Sequence, residues 1–513
     1  MPVDALRIAS VCVTFLAVNV WSAAPGCITC HPKETARFLA SPMGKSLAPP
    51  EPMPPGRVQH QTSGSLITVE DRGGRMVHRL VERGIAAEYP IAYQIGAGKK
   101  GRSYLIRIGD YLLESPASWY ERHGWDISPG YESLQLIDFD RPVTAECLFC
   151  HAGQAKFADP DLRRIASGAI TAITCERCHG PSAEHIRKPS ATNIVNPANL
   201  TGAARASVCE QCHLEGQTRV LNPQKALQDF HAGQPLEETA ATYLFKTSAG
   251  EAVTQAEELG ESKCARSSRD RLWCGTCHHP HGPGADRQSE IRSVCLSCHP
   301  RLTKASHPSR SMDCVSCHMP ARATTNIAHV AATDHRIQRP HSSAPQYSGP
   351  DQVTPWREPP ASFRERDLAM AQLQIGLERN NQGLAREGYD RLQKMPGSQL
   401  SNDADALSML QAVVLATAPA RAVDLGLRIV ALKPQSASSA VNLALALKAA
   451  GRHEESEQQL RRAIDLDPSL MEAYAQLALL YDEEKRAKDS ADVVGRFLKW
   501  NPWNIQFRLA RAP

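Results

Sequence analysis

Hydrophobic and polar residues follow two patterns along this chain, and the first of them predicts β-structure. Between residues 56 and 143, short runs rich in β-branched and aromatic residues are separated by glycine-containing turns, as in strands joined by tight loops. The runs are residues 65–70, 76–81, 89–95 and 103–108. The segment therefore predicts a small antiparallel sheet.

The second pattern, in the last third of the chain, predicts stacked helical hairpins. Helix-forming residues dominate there, and Pro434, Pro468 and Pro502 recur every 34 residues, which is the tetratricopeptide period. Three repeats follow at residues 403–436, 437–470 and 471–504, and a looser unit at 369–402 caps them. The sequence predicts an α-solenoid over residues 363–513, with a plain helical bundle as the alternative.

The N-terminal residues 1–24 have the pattern of an export signal. Arg7 precedes an apolar run at residues 8–20, and small residues at 22–24 offer a cleavage zone. A retained membrane anchor is the alternative, but the run is short for a membrane span. We expect an exported protein, periplasmic or at the cell surface, with membrane association only indirect.

Candidate chemistry is concentrated in seven copies of Cys-x-x-Cys-His, three of them within residues 274–318. Such a motif is typical of covalent haem attachment: two thiols bond the haem, and the adjacent histidine binds its iron. The motifs are Cys27/Cys30/His31, Cys147/Cys150/His151, Cys175/Cys178/His179, Cys209/Cys212/His213, Cys274/Cys277/His278, Cys295/Cys298/His299 and Cys314/Cys317/His318.

Two other readings of Cys-x-x-Cys are a zinc knuckle and a thioredoxin-like redox pair, and neither requires the following histidine. With 19 histidines in 513 residues, seven complete motifs favour haem, so the sequence predicts seven covalent c-type haems. The fourteen motif cysteines leave Cys12 and Cys264 over. Cys264 is a reactive thiol, a ligand or, as for most lone cysteines, a small buried hydrophobe.

Composition changes this picture little. The 58 basic and 54 acidic side chains leave a formal charge of +4, and the sequence has no basic footprint for nucleic acid. Aromatic residues make up 5%, and haems would supply the missing apolar bulk. Between residues 142 and 339 the pattern gives short helical pieces and many loops, which haems would organise.

The histidines outside the motifs are candidate second ligands. His281 follows His278 by three residues, which reach at most about 10 Å, too short to pass around a porphyrin to its other face. The same holds less strongly for His185 after His179, so each would bind the haem of another motif or remain an unligated polar residue. In the β segment, His60, His78 and His123 are candidates for the haem of His31, His60 before the others; the alternative is that each is a surface residue, as a lone histidine on a strand more often is.

The chain resembles multihaem c-type cytochromes that carry a C-terminal tetratricopeptide array, related to the hydroxylamine oxidoreductase and pentahaem nitrite reductase superfamily. The phrases that carry the resemblance are Phe38-x-x-Ser-Pro-Met, Tyr93-x-Ile-Gly-x-Gly, Trp125-x-x-Ser-Pro-Gly-Tyr, Cys175-x-x-Cys-His-Gly-Pro, Cys274-x-x-Cys-His-x-Pro-His and Cys314-x-x-Cys-His-Met-Pro followed by Asp334-His335. The resemblance implies distal iron ligands at His185, His281, His307, His329 and His335. Many relatives also have a histidine where this chain has Thr254-Gln255-Ala256, so one haem would have another ligand or none.

These residues are compatible with two functions, that of a redox carrier and that of an enzyme. A redox carrier would have two protein ligands on most irons, whereas an enzyme would keep one iron open for a small nitrogen or sulfur oxyanion. Eleven histidines outside the motifs and the array, and the lack of a Cys-x-x-Cys-Lys variant, favour the carrier. A scaffold that the array recruits to a complex is compatible with either.

The fold class expected is mainly α: a haem-organised cytochrome domain at residues 25–341 with its β insert, followed by the solenoid. Five prolines within residues 345–360 predict a linker at 342–362. We expect the array behind this linker to dock a redox protein partner or a second copy of the chain, and the haem region to be independent of it.

Overall fold

The computed structural model describes residues 26–98, 100–153, 155–166, 170–246, 254–268, 271–282, 287–300, 313–324, 327–339 and 351–511. The predicted export signal, Cys12, His307 and His341 lie outside these ranges. None of the described helices is long and apolar enough to cross a membrane.

The predicted β segment is an antiparallel sheet, larger than the sequence indicates. Its strands pair in the order β2-β3-β4-β5-β6-β8-β9, while β1 pairs with β5 and β7 with β6. The strands are β1 (Leu47–Ala48), β2 (Gly56–Gln59), β3 (Leu66–Asp71), β4 (Met76–Glu82), β5 (Ile85–Ile95), β6 (Gly101–Ile108), β7 (Tyr111–Glu114), β8 (Ala117–Tyr120) and β9 (Gly124–Ile127).

The alternation of residues explains how this sheet folds. On β3, Ile67 and Val69 point into the apolar core while their neighbours are more exposed, as a period of two requires. The last strand returns to the first, because Trp125 on β9 lies over Gly56 on β2 and donates its indole N–H to Pro54 O at 2.9 Å. The sheet is therefore nearly closed around its core.

The region between this sheet and the array consists of short helices joined by loops. The helices run from 4 to 12 residues. They are α1 (Cys27–Cys30), α2 (Pro32–Ala40), α3 (Ala145–His151), α4 (Glu176–His179), α5 (Ala183–Arg187), α6 (Gly202–His213), α7 (Gln255–Glu261), α8 (Lys263–Ser268), α9 (Cys274–Cys277), α10 (Arg287–Cys298) and α11 (Cys314–His318).

Two small antiparallel sheets complete this region. The strands β10 (Thr218–Leu221) and β11 (Ala240–Lys246) form one with β14 (Gln352–Pro355), and β12 (Ala321–Ala323) pairs with β13 (Ala331–Thr333) in the other. Strand β14 lies within the predicted linker at 342–362, and it pairs with β11 from Tyr243 opposite Pro355 to Lys246 opposite Gln352. That part of the proline-rich segment is therefore ordered against the region that carries the Cys-x-x-Cys-His motifs.

The C-terminal third is a series of helical hairpins, as the 34-residue period predicts. Within each hairpin two antiparallel helices pack together, and the next hairpin stacks on them. The helices are α12 (Arg364–Glu378), α13 (Gln382–Lys394), α14 (Gly397–Leu400), α15 (Ala404–Val414), α16 (Pro419–Leu432), α17 (Ala437–Ala449), α18 (His453–Leu466), α19 (Met471–Glu483), α20 (Ala487–Trp500) and α21 (Ile505–Arg511).

The array is not independent of the rest of the chain, which corrects the sequence-based expectation. At its start, Val220 and Tyr243 share one apolar core with Leu373 of α12. Arg366 is buried there between Asp367 and Asp403 and donates to Leu221 O at 2.7 Å. The composition of the linker could not show this, because the contact depends on pairing between distant segments.

The end of the array is anchored as well. In α21, Ile505 is fully buried in the core of the nine-stranded sheet, while Phe507 lies in the core of the last hairpins. The backbone N–H of Ile505 donates to the Asp138 carboxylate, and Gln506 donates to Asp140 at 3.0 Å. The array therefore spans from the small sheet to the large one and contacts both.

Candidate cofactor cavity

Local helix geometry presents both cysteines of each motif on one side. All seven motifs lie on or next to a helical turn, from α1 to α11. Residues three apart on a helix are neighbours on its surface, about 5–6 Å between Cβ atoms. A single flat group can therefore be reached by both thiols, with the histidine following directly at the end of the turn.

The motifs converge on one large cavity of about 3500 Å³. This is several times the roughly 300–1,000 Å³ of a pocket for one small molecule. Each of the seven motifs contributes at least two residues to the lining, and Cys147 and Cys298 are the two motif residues outside it. A series of bulky groups, rather than one ligand, fits this space.

Neighbouring motifs approach each other through their cysteines. Burial and the neighbouring Cys27 raise the pKa of Cys175, and Cys274 raises that of Cys209, so these side chains lie close together. In the same way Cys150 lies close to Cys212 and Cys314 to Cys295. Groups attached to the paired motifs would lie side by side.

Three motif histidines each face a second histidine. The ring centroids are 6.5 Å apart for His31 and His185, 6.0 Å for His179 and His281, and 6.1 Å for His278 and His335, with ring planes inclined by 18°, 18° and 28°. These separations exceed the roughly 3.5–4 Å of a direct van der Waals contact. Two imidazoles that bind one metal from opposite sides, with metal–nitrogen bonds of about 2 Å, would have centroids about 6 Å apart.

Hydrogen bonds fix how several of these rings are protonated. The Nδ1–H of His179 donates to Val195 O at 2.7 Å, and that of His335 to Thr333 O at 2.8 Å. His185 Nδ1 lies 3.0 Å from Asn193 Oδ1, and His318 Nδ1 lies 2.8 Å from Gln338 O. Because carbonyl oxygens can only accept, Nδ1 carries the proton and Nε2 offers its lone pair, as in a metal-ligating histidine.

The second histidines are held by neighbouring elements. Arg37 of α2 donates to Gly282 O at 2.8 Å, next to His281, and Gly282 has φ +111°, a conformation that favours glycine. The backbone N–H of His335 donates to Glu258 Oε2 at 2.8 Å. Burial lowers the pKa of His281, His278 and His335, so their rings are neutral near pH 7 and able to bind metal.

The histidines predicted in the large sheet are not among the described residues that line the cavity. His60 is buried, with Nδ1 2.7 Å from Ser63 Oγ and Nε2 3.0 Å from Tyr131 O. His78 is buried as well: its Nδ1 lies 2.7 Å from Ser115 Oγ, and burial lowers its pKa to about 3. Both are integrated in the core of the sheet.

His329 also lies away from the cavity. It contacts His123 and Asp126 of the large sheet instead of a motif histidine, a grouping that the sequence does not indicate. His307 lies outside the described residues. Among the described residues, no ring contact with a second histidine is recorded for His151, His213 or His299.

The resemblance implies a histidine where this chain has Thr254-Gln255-Ala256, and this position is close to the cavity. Gln255, at the start of α7, lines the cavity close to His213: burial lowers the pKa of His213, and the nearby Gln255 side chain opposes part of that effect. Cys264 of α8 is another lining residue. The side-chain amide of Gln255 thus lies beside the fourth motif, where the resemblance implies a histidine.

Comparison with known proteins adds little beyond the hairpins. No family model matches the chain. No curated protein matches it.

Solved structures similar to part of the chain include MamA from Desulfovibrio magneticus RS-1, with 20% identity, a TM-score of 0.24, and coverage of 28% of this chain and 80% of that chain. YrrB, a tetratricopeptide protein with an unusual peptide-binding site, has 15% identity and a TM-score of 0.25 over 29% of this chain and 73% of its own. The first tetratricopeptide domain of Spaghetti (RPAP3), bound to an HSP90 peptide, has 17% identity and a TM-score of 0.20 over 22% and 91%. At these scores, the helix pattern of this chain itself carries the conclusion that its last third is a tetratricopeptide-like array.

Proposed function

We propose that the chain is a multihaem c-type cytochrome that transfers electrons along a row of adjacent haems. The observation that carries this proposal is the single cavity onto which all seven motifs converge, with three facing histidine pairs inside it. When bound, each haem supplies a one-electron iron couple. Electron transfer is the function that closely spaced motifs and paired ligands support best.

Different residues of the chain would attach the haems and bind their irons. The fourteen motif cysteines would attach the haems, and each motif histidine would bind the iron of its haem. His185, His281 and His335 would provide the second ligand for the haems of His31, His179 and His278. The Nδ1–H bonds to carbonyl oxygens orient several of these rings and strengthen the imidazole as a donor.

The neighbour relations of the motifs give an order for the row. The first motif is joined to the third by the proximity of Cys27 to Cys175, and His31 faces His185 just after the third motif. The third motif is joined to the segment after the fifth, because His179 faces His281. Cysteine contacts join the fourth motif to the second and to the fifth, and the sixth to the seventh. The sixth motif in turn lies near the fifth, because α9 contacts α10 and Cys277 is among the groups that raise the pKa of Cys295. Haems held by the seven motifs would therefore form one connected series.

The first test is the haem count. The intact mass of the exported protein should correspond to the chain without its first 24 residues plus seven haems. A mass equivalent to six haems or fewer on fully matured protein would contradict the proposal.

The second test concerns the axial ligands. In low-temperature EPR spectra of the oxidised protein, His281→Ala and His335→Ala should each add one high-spin iron without changing the haem count. His279→Ala is the matched control, because His279 also lines the cavity but faces no motif histidine. Unchanged spectra in both variants would reject these two histidines as ligands.

A second candidate function is reduction or oxidation of a small nitrogen or sulfur oxyanion. The observation that favours it is Gln255, an amide beside His213 where the resemblance implies a histidine. An iron held there with one open side would admit a small ligand. The parent should then show a high-spin signal that Gln255→His removes, together with turnover of nitrite or hydroxylamine; absence of both leaves the carrier function.

Export and partner docking belong to the same proposal. Thioether attachment of haem takes place outside the cytoplasmic membrane, so the protein would be periplasmic or at the cell surface. The exposed surface of the repeat array would contact a redox protein, or a second copy of the chain. Co-purification of the full-length protein with its electron donor or acceptor, reduced by changes on the exposed array surface, tests this part.

A further inference from the structure

Two histidines and an aspartate meet outside the cavity, where the large sheet contacts the hairpin of β12 and β13. His123 precedes β9, Asp126 lies on it, and His329 lies between β12 and β13. His329 Nε2 is 2.6 Å from Asp126 Oδ2, and His123 Nε2 is 3.4 Å from the same oxygen. Residues 203 positions apart in the chain thus converge on one point.

The donor set and its spacing fit a divalent cation. The ligand atoms of the three residues lie within 4.8 Å of one another. Around Zn²⁺, ligands bound at about 2 Å lie roughly 3–3.5 Å apart. Because the two imidazole planes are inclined by only 10°, the exposed His123 ring would have to turn out of the stack before all three groups could point at one ion. Two imidazoles and one carboxylate form a ligand set that occurs on Zn²⁺ and similar first-row cations, and it leaves a position for water.

The backbone and the surroundings hold this arrangement in place. His329 has φ +59°, a left-handed conformation that a non-glycine residue keeps only where its surroundings enforce it. The His329 ring is stacked on His123 with centroids 3.6 Å apart, and the Tyr120 ring packs against it at an angle of 65° with centroids 5.1 Å apart. Lys100 Nζ donates to Ala331 O at 2.7 Å and ties the hairpin to the sheet a second time.

An ion could reach the cluster and could be retained there. The side chains of His123, Asp126 and His329 are 48%, 34% and 29% exposed, so the ligand atoms are open to solvent on one side. Without a cation, the single carboxylate oxygen is the shared partner of two stacked imidazoles. A divalent ion would satisfy both Nε2 lone pairs and the carboxylate together.

We propose that His123, Asp126 and His329 bind one divalent first-row cation of Zn²⁺-like preference. The bound ion would cross-link the large sheet to the β12–β13 hairpin. Since Asp334 and His335 follow directly after β13, the cross-link would also fix the segment that carries His335 into the cavity. This site is separate from the cavity and does not depend on the haem proposal.

The test uses the full-length, exported protein purified through a tag without histidine. The protein is treated with EDTA, loaded with Zn²⁺ alone, freed of unbound ion by gel filtration, and analysed by mass spectrometry for zinc, which is distinguished from haem iron. The variants are His123→Ala and Asp126→Asn; the second keeps the side-chain size. The control is His453→Ala, which removes an exposed histidine paired with Glu484 at 3.4 Å in the array.

The parent and the control should retain one equivalent of zinc more than either variant, and zinc should raise the unfolding temperature of the parent but not of the variants. The far-ultraviolet circular dichroism and the visible spectrum should be the same in all four proteins. Equal zinc content in parent and variants, or no zinc retained by the parent, would overturn the site. Either result would leave the haem count and EPR tests unaffected.

Discussion

The helix α21 joins the two largest cores of the molecule, and truncating one side chain should release it. Ile505→Ala removes three carbon atoms from a fully buried position in the core of the large sheet. At about 0.8 kcal/mol for each buried methylene, plus the cavity left behind, the loss is about 3 kcal/mol within a usual range of about 2–5 kcal/mol. Because a helix of seven residues is not stable alone, its undocking is also its unfolding.

Amide hydrogen exchange of residues 505–511 measures this loss directly. If the free energy of local unfolding of α21 falls by about 3 kcal/mol, these amides should exchange about two orders of magnitude faster, since 1.36 kcal/mol is a factor of ten. Leu479→Ala is the matched control, because Leu479 is a large apolar residue on α19 that is 50% exposed. Its effect should stay within about 0.5 kcal/mol, or roughly twofold. If Ile505→Ala changed exchange no more than Leu479→Ala, the helix would not be docked in the sheet.

Two further predictions concern pH and packing. Burial raises the pKa of Asp138 to about 7, above its unfolded value near 3.8, so the folded protein holds a proton that unfolding releases. The free energy of unfolding that this site contributes should therefore be greatest near pH 4 and should fall as the pH rises toward 7. Hydrogen exchange of the α21 amides, corrected for the pH dependence of intrinsic exchange, should show this fall in the parent, and it should be smaller in Asp138→Asn. In the array, a Cβ at Gly388 would lie 2.4 Å from Leu373 N, whereas one at Gly495 would meet nothing within 4 Å. Gly388→Ala should cost about 1–3 kcal/mol and Gly495→Ala should gain up to about 1 kcal/mol in thermal or urea unfolding; equal effects would contradict the packing described.

Local periodicity made the elements predictable. The alternation at Ile67 and Val69 indicates a strand with one buried face, and the spacing of Pro434, Pro468 and Pro502 indicates hairpins of 34 residues. Both signals arise within a few tens of residues, so one sequence is sufficient. Strand β14 has no such signal, because it exists only through its pairing with β11, more than a hundred residues earlier.

The same distinction applies to the candidate site. The motifs identify which cysteines and histidines act together, and chain reach predicts that His281 and His185 face other motifs than their own. The structure places them opposite His179 and His31, while ligation itself stays a prediction. Which partner each one faces depends on the paths of long loops, and so does the placement of His329 beside Asp126.

The positions of the apolar cores explain why the array is fused to this chain. The segments that carry the motifs form helices of 4 to 12 residues around a large cavity, whereas the main apolar cores lie in the large sheet and in the array. Elements that line a cavity cannot pack on one another across it, so their positions depend on the frame that surrounds them. Strand β14 and α12 attach the array to β10 and β11 on one side, and α21 attaches it to the large sheet on the other. The array therefore completes that frame, and changes that release α21 should loosen the cavity region as well as the sheet.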